Sequence, residues 1–109
     1  MATDQVPMTD QRIRPPSGAS AVVLSGFYEG LEFVLDRERT VIGRGRKADL
    51  ALSEATISRA HAAIGFDGQG FYVEDLGSTN GTLVNGAKVV RQRLKSEDEI
   101  EMGYRKSVV

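Results

Sequence analysis

Residues 77–90 read GSTNGTLVNGAKVV, and this stretch decides the fold. It holds Asn-Gly at 80–81 and again at 85–86. Asn-Gly favours tight β-turns because both residues tolerate positive φ. Two such turns so close together leave room for a very short strand between them and none for a helix. The segments just upstream repeat the pattern. RAHAAIGF (59–66) and GFYVEDL (70–76) read as strands around Asp-Gly-Gln-Gly, a hairpin signal. In the second, Phe71, Val73 and Asp75 share one side, while Tyr72, Glu74 and Leu76 share the other. Farther out, AVVLS (21–25), LEFVLD (31–36), RTVIG (39–43), DEIEM (98–102) and the terminal KSVV read as further strands. KSEDEIE (95–101) reads as a solvated strand edge. Many short strands with frequent turns predict an all-β, two-sheet β-sandwich.

The composition bounds what such a sandwich does. The 109 residues hold one domain, and 40% hydrophobic with 27% charged residues is ordinary for a globular chain. A net charge of −1 argues against general affinity for nucleic acid or membrane. Any phosphate binding must come from a local cluster. With no cysteine, disulfides and thiolate metal sites are excluded. A single histidine, His61, argues against a metal site, and no cofactor is implied. Residues 1–19 carry all three prolines and few apolar side chains. They read as a flexible N-terminal arm that cannot offset its own ordering entropy, ahead of a domain at 20–109. No signal-peptide core or membrane-spanning stretch is apparent, which predicts a cytoplasmic domain.

VIGRGRKADL (41–50) supports a competing interpretation. Gly43-Arg-Gly45-Arg-Lys-Ala48 approximates the glycine fingerprint of dinucleotide-binding domains. That fold needs a helix over about 48–63, and an apolar stripe there with Asp67 near the required distance makes it arguable. Against it, Arg44 and Arg46 put bulky cations in the loop, and Thr56-Ile57-Ser58 is a poor helix interior. The hairpins downstream also leave no second helix to cover a parallel sheet. The dinucleotide reading is therefore disfavoured, and whether the loop's arginines grip a phosphate of another kind depends on the rest of the chain.

GRGRKADLAL, ISRAHAAI, VEDLGSTNGTLVNG and LKSEDEIEMG, in that order and spacing, closely resemble the forkhead-associated (FHA) domain over about residues 21–109. The resemblance implies a sandwich of about eleven strands that binds phosphothreonine in an extended peptide and does no chemistry itself. It matches Gly43 and Arg44 to the family's Gly-Arg pair and Ser58 to its phosphate-binding serine. His61 matches its buried histidine, and Ser78, Thr79, Asn80 and Gly81 match its peptide-contacting loop. It also looks like the bacterial members.

Chemistry supports these assignments independently. A phosphoryl group carries about −1.5 to −2 charges and three acceptor oxygens, so donors must converge from several loops. Arg44 offers a guanidinium fork, Ser58 a short hydroxyl donor, and Arg59 a second cation. Asn80, both donor and acceptor, suits a ligand's main chain, while Ser78 and Thr79 shape a pocket for the threonine methyl. Gly43, His61 and Gly81 read as structural support, and Asp75 as an anchor for the following loop. Arg46 and Lys47 read as solvated charges able to steer an anion. Uncharged Ala55 and Thr56 suggest an apolar preference three residues after the phosphothreonine. The expected partner is a phosphothreonine-containing protein, such as a Ser/Thr kinase or its substrate. Phosphorylated Thr3 or Thr9 of the arm is a further expected ligand, binding its own domain or a neighbour's. The alternative is a phosphorylation-independent scaffold using the same surface. An enzyme is disfavoured, since one histidine, no cysteine and no carboxylate pair beside a nucleophile leave no catalytic set.

Overall fold

The computed structural model describes residues 14–103 and 105–108. The arm expected at 1–19 falls mostly outside them, Thr3 and Thr9 included. Among the described residues eleven strands follow in chain order. They are β1 (Ser20–Val23), β2 (Glu32–Val34), β3 (Arg39–Gly43), β4 (Leu50–Ala51), β5 (Ala62–Phe66) and β6 (Phe71–Asp75). The rest are β7 (Thr82–Val84), β8 (Ala87–Val89), β9 (Arg91–Arg93), β10 (Glu99–Met102) and β11 (Arg105–Val108). One sheet has the order β9-β6-β5-β3-β4 and the other β2-β1-β11-β10-β7-β8. Ile42, Ala62, Ile64 and Val73 of the first sheet bury against Ala21, Val84, Ile100 and Met102 of the second. Leu35, Leu52, Ile57 and Leu94 close the same core from the connections. This is the expected all-β sandwich. Among the described residues there is no helix, hence none long and apolar enough to cross a membrane.

Turn chemistry accounts for the hairpins. Asn85 and Gly86 both adopt positive φ (50° and 87°) and join β7 to β8 with Val84 opposite Ala87. That is the two-residue turn Asn-Gly favours. The Asn85 side chain also bonds outward, donating to the Asp98 carboxylate and accepting the Glu99 amide. Between β5 and β6, Asp67 accepts the amides of Gln69 and Gly70, so Phe66 pairs with Phe71.

Four readings are corrected. Asn80-Gly81 does not close a hairpin: β6 lies in one sheet and β7 in the other, so this dipeptide bends a crossover. The strand expected at 59–66 begins only at Ala62, because the His61 ring accepts the Ser58 amide and holds 58–61 in a turn. KSEDEIE is not an edge. β10 lies inside its sheet between β7 and β11, with Asp98 and Ile100 buried. Finally, β4 was not anticipated. Its two residues pair in parallel with Ile42 and Gly43, and Asp49 just before them bridges the Val41 amide and Arg37.

Candidate functional site

Three connections meet at one end of the sandwich: 44–49 after β3, 52–61 after β4, and 76–81 after β6. Such loops lack a sheet ladder, so their backbone groups need other partners. They find them in one another. The Arg44 amide donates to the Ser58 carbonyl at 2.9 Å and the Gly45 amide to the Arg59 carbonyl at 3.0 Å. Gly43 makes this approach possible, since a Cβ there would stand 2.0 Å from the Arg59 carbonyl oxygen.

The side chains complete the stitching. Arg44 Nε donates to the Ile57 carbonyl at 2.9 Å, which fixes the stem of the guanidinium. Among the described residues its two terminal nitrogens make no hydrogen bond, so the fork stays available. Ser58 Oγ accepts the Thr79 amide at 3.0 Å and so keeps its own proton to donate. Asn80 Nδ2 donates to the Thr56 carbonyl at 2.9 Å, leaving its amide oxygen and second proton unused. Arg59, Thr79 and Asn80 are exposed, while Ser58 and Ser78 are half-buried.

His61 is fully buried behind these loops. Its Nδ1 accepts the Ser58 amide at 3.0 Å, so Nε2 carries the proton and donates to the Gly81 carbonyl at 2.7 Å. One ring thus ties the serine loop to the 76–81 loop. Gly81 is buried, with φ of 86°, a conformation a side chain would oppose.

Asp75, ending β6, organises the third loop. Its carboxylate accepts the Ser78 and Thr82 hydroxyls and the amides of Gly77 and Ser78. Ser78 Oγ in turn accepts the Gly81 amide. Burial pushes the Asp75 carboxyl upward, but these hydroxyl and amide donors outweigh it and hold the group below its ordinary value. The anchoring role expected of Asp75 is therefore visible in its bonds.

Every candidate residue falls within this loop cluster: Arg44, Ser58, Arg59, Ser78, Thr79 and Asn80 on its surface, Gly43, His61 and Gly81 beneath. Two features were missed. One is the set of backbone acceptors, Ile57 and Thr56, that fix Arg44 and Asn80; carbonyls carry no residue-type signal. The other is Arg39, read only as a strand residue. It joins Arg44, Arg46, Lys47 and Arg59 around a groove also lined by Val41 and Leu76. Among the described residues no cluster of His, Cys, Asp or Glu is arranged to hold a metal.

Comparison with known proteins bears on what this arrangement does. A model of the FHA domain matches residues 40–103. The oxoglutarate dehydrogenase inhibitor of Corynebacterium diphtheriae is 39% identical over 92 residues, covering 84% of this chain and 64% of that protein. The glycogen accumulation regulator GarA of Mycobacterium tuberculosis is 39% identical over 89 residues, covering 82% of this chain and 55% of that protein. The chain thus spans little more than half to two-thirds of these relatives. A solved structure from a study of phosphothreonine-dependent FHA domain interactions superposes with a TM-score of 0.75 at 35% identity. It covers 82% of this chain and 91% of that one.

Proposed function

The chain belongs to the FHA domain family, and on that premise we propose that it is a phosphothreonine-peptide binding module. Arg44 and Ser58 hold the phosphate, Arg59 assists, Ser78 and Thr79 shape the pocket for the threonine methyl, and Asn80 ties down the peptide main chain. Gly43, His61 and Gly81 hold the loops that carry them. The observation that supports this best is the pairing of two free donors on anchored stems. The Arg44 fork is fixed through Nε to Ile57, and the Ser58 hydroxyl is oriented by the Thr79 amide one loop away.

Charge-assisted bonds contribute about 1.5–3 kcal/mol each. A few of them, less the ordering of the peptide, give affinity on the order of micromolar. That suits a reversible cytoplasmic signalling contact in which the domain binds and does not catalyse. Relatives named as an inhibitor and a regulator fit such a role. A Ser/Thr kinase or its substrate supplies the ligand, and phosphorylated Thr3 or Thr9 of the chain's own arm competes for the same site.

The test is titration of one peptide in phosphothreonine, phosphoserine and unmodified forms, with Arg44→Ala as control. The phosphothreonine form binds most tightly, by roughly tenfold or more over phosphoserine, because one methyl in a fitted pocket is worth about 1–3 kcal/mol. Equal affinity of the phosphorylated and unmodified forms would refute the reading and leave a phosphorylation-independent scaffold.

A further inference from the structure

The phosphate site uses only part of the positive charge at this end of the molecule. Arg39, Arg44, Arg46, Lys47 and Arg59 surround one groove, and Ser58, Ser78, Thr79 and Asn80 take no part in its lining. Arg44 and Arg59 are shared between the two, so the groove begins where the proposed phosphate site ends. It continues onto β3, where Arg39 and Val41 lie on the face of the sheet turned away from the core.

Five cations in one groove of a chain whose net charge is −1 need an explanation. Internal neutralisation does not supply it. The ion pairs among the described residues are Arg37–Asp49 and Arg93–Asp67, and neither uses a groove cation. Asp49, the carboxylate nearest in sequence, is occupied by Arg37 and the Val41 amide. Glu74 shares the outer row of the sheet with Val41, through Ala63, but faces Arg91 across the next strand pair and is not in the lining. Val41 and Leu76 also line the groove, so an anion's aliphatic stem has an apolar surface to lie on.

We propose that this groove binds a second anionic group on the same phosphothreonine peptide. The ligand class is therefore a peptide carrying an additional phosphate or carboxylate beside its phosphothreonine. The inference rests on the proposed phosphothreonine reading and narrows it. Arg44 and Arg59 bridge the two anions, while Arg39 and Lys47 meet only the second.

The experiment compares three peptides of one backbone: phosphothreonine alone with neutral flanks, the same with a glutamate, and the same with a second phosphoresidue. The added group is moved through each flanking position in turn. Each peptide is titrated against the parent protein and the Arg39→Gln/Lys47→Gln double variant, at low and at moderate salt. Both substitutions are on exposed side chains with no hydrogen bond in the described structure, so folding is retained; matching circular dichroism melts check this.

The second anion, at its best position, tightens binding to the parent by roughly 3- to 10-fold, as expected for one or two partly exposed charge pairs. The gain shrinks as salt rises. The double variant loses the gain, while its affinity for the singly phosphorylated peptide falls by less than that gain, through lost long-range attraction alone. A gain from phosphate only identifies a doubly phosphorylated ligand, and one from both groups an acidic ligand. No gain at any position, or an equal gain in the double variant, overturns the inference while leaving the phosphothreonine reading intact. Failure of the singly phosphorylated peptide to bind the parent overturns both.

Discussion

Replacing Gly43 by alanine tests whether the loop cluster is built on close backbone contact. Gly43 ends β3 against the 58–60 turn, and a Cβ would meet the Arg59 carbonyl oxygen at 2.0 Å, its carbon at 2.7 Å and the Ser58 carbonyl oxygen at 3.0 Å. Backbone atoms cannot rotate out of the way as a flexible side chain would. The turn must retreat by roughly 1.4 Å to reach ordinary contact. The two carbonyls that are crowded also accept the Arg44 and Gly45 amides, so retreat breaks those bonds. Overpacking destabilises by about 1–3 kcal/mol, and each hydrogen bond lost adds about 0.5–1.5 kcal/mol. Gly43→Ala should therefore lose roughly 2–6 kcal/mol, against a typical total of about 5–15 kcal/mol. Urea denaturation followed by circular dichroism measures this. Gly45→Ala is the internal control, because its nearest contacts, the Arg59 Cβ and carbonyl oxygen, stand at 3.2 Å, so the turn need give by only a few tenths of an ångström. It should cost less than about 1 kcal/mol. Where Gly43→Ala remains folded, its phosphopeptide affinity should fall by about 10- to 150-fold, the worth of one charge-assisted bond. A Gly43→Ala protein as stable as Gly45→Ala would refute the reasoning.

Asp75→Asn should destabilise the domain in a pH-dependent way. The folded carboxyl sits below its unfolded value of about 3.9, so its contribution is complete above that pH and disappears as pH falls through the folded value. The stability gap to the parent is therefore full at neutral pH and narrows below about pH 4 in urea titrations; a constant gap would contradict this. Asn85→Ala should lose about 1–3 kcal/mol, from a strained positive φ and the bonds to Asp98 and Glu99. Because Asn85 lies at the far end of β7 from Gly81, phosphopeptide affinity of the folded variant should be unchanged in the same titration.

The two Asn-Gly pairs show where sequence reading succeeds and where it stops. At 85–86 the local preference for positive φ at both residues coincides with strand pairing on either side, so local chemistry settles the outcome. At 80–81 only Gly81 has positive φ, and the segment passes between sheets. What holds it there is distant in sequence: the His61 ring on the Gly81 carbonyl and the Thr56 carbonyl on Asn80. β4 was illegible for the same reason, since two residues carry no periodicity and its partner strand precedes it by a loop. Arg44 and Ser58 could be singled out in the sequence because the proposed ligand, a phosphate, calls for donors of that kind. Their anchors, the Ile57 carbonyl and the Thr79 amide, could not be, because main-chain groups are the same on every residue.

This difference has a physical consequence for how the site works. A helix or ladder would satisfy the backbone of 44–49, 52–61 and 76–81 internally, but these loops have neither, and unpaired buried amides and carbonyls would oppose folding. Ser58, His61 and Asp75 supply the missing partners, each bonding to main-chain groups of a neighbouring turn or loop. Under the proposed function Ser58 therefore serves two ends with one oxygen: it accepts the Thr79 amide to join two loops, and its proton is left for the proposed ligand. Ser58→Ala removes both at once, so loss of binding in that variant alone does not identify phosphate contact. Arg44→Lys tests the other donor with the main-chain stitching left in place. The amide bonds of residue 44 to Ser58 and of 45 to Arg59 survive, while the Nε anchor and the planar fork are lost. A fold kept intact with binding abolished is the outcome that assigns the guanidinium to the ligand.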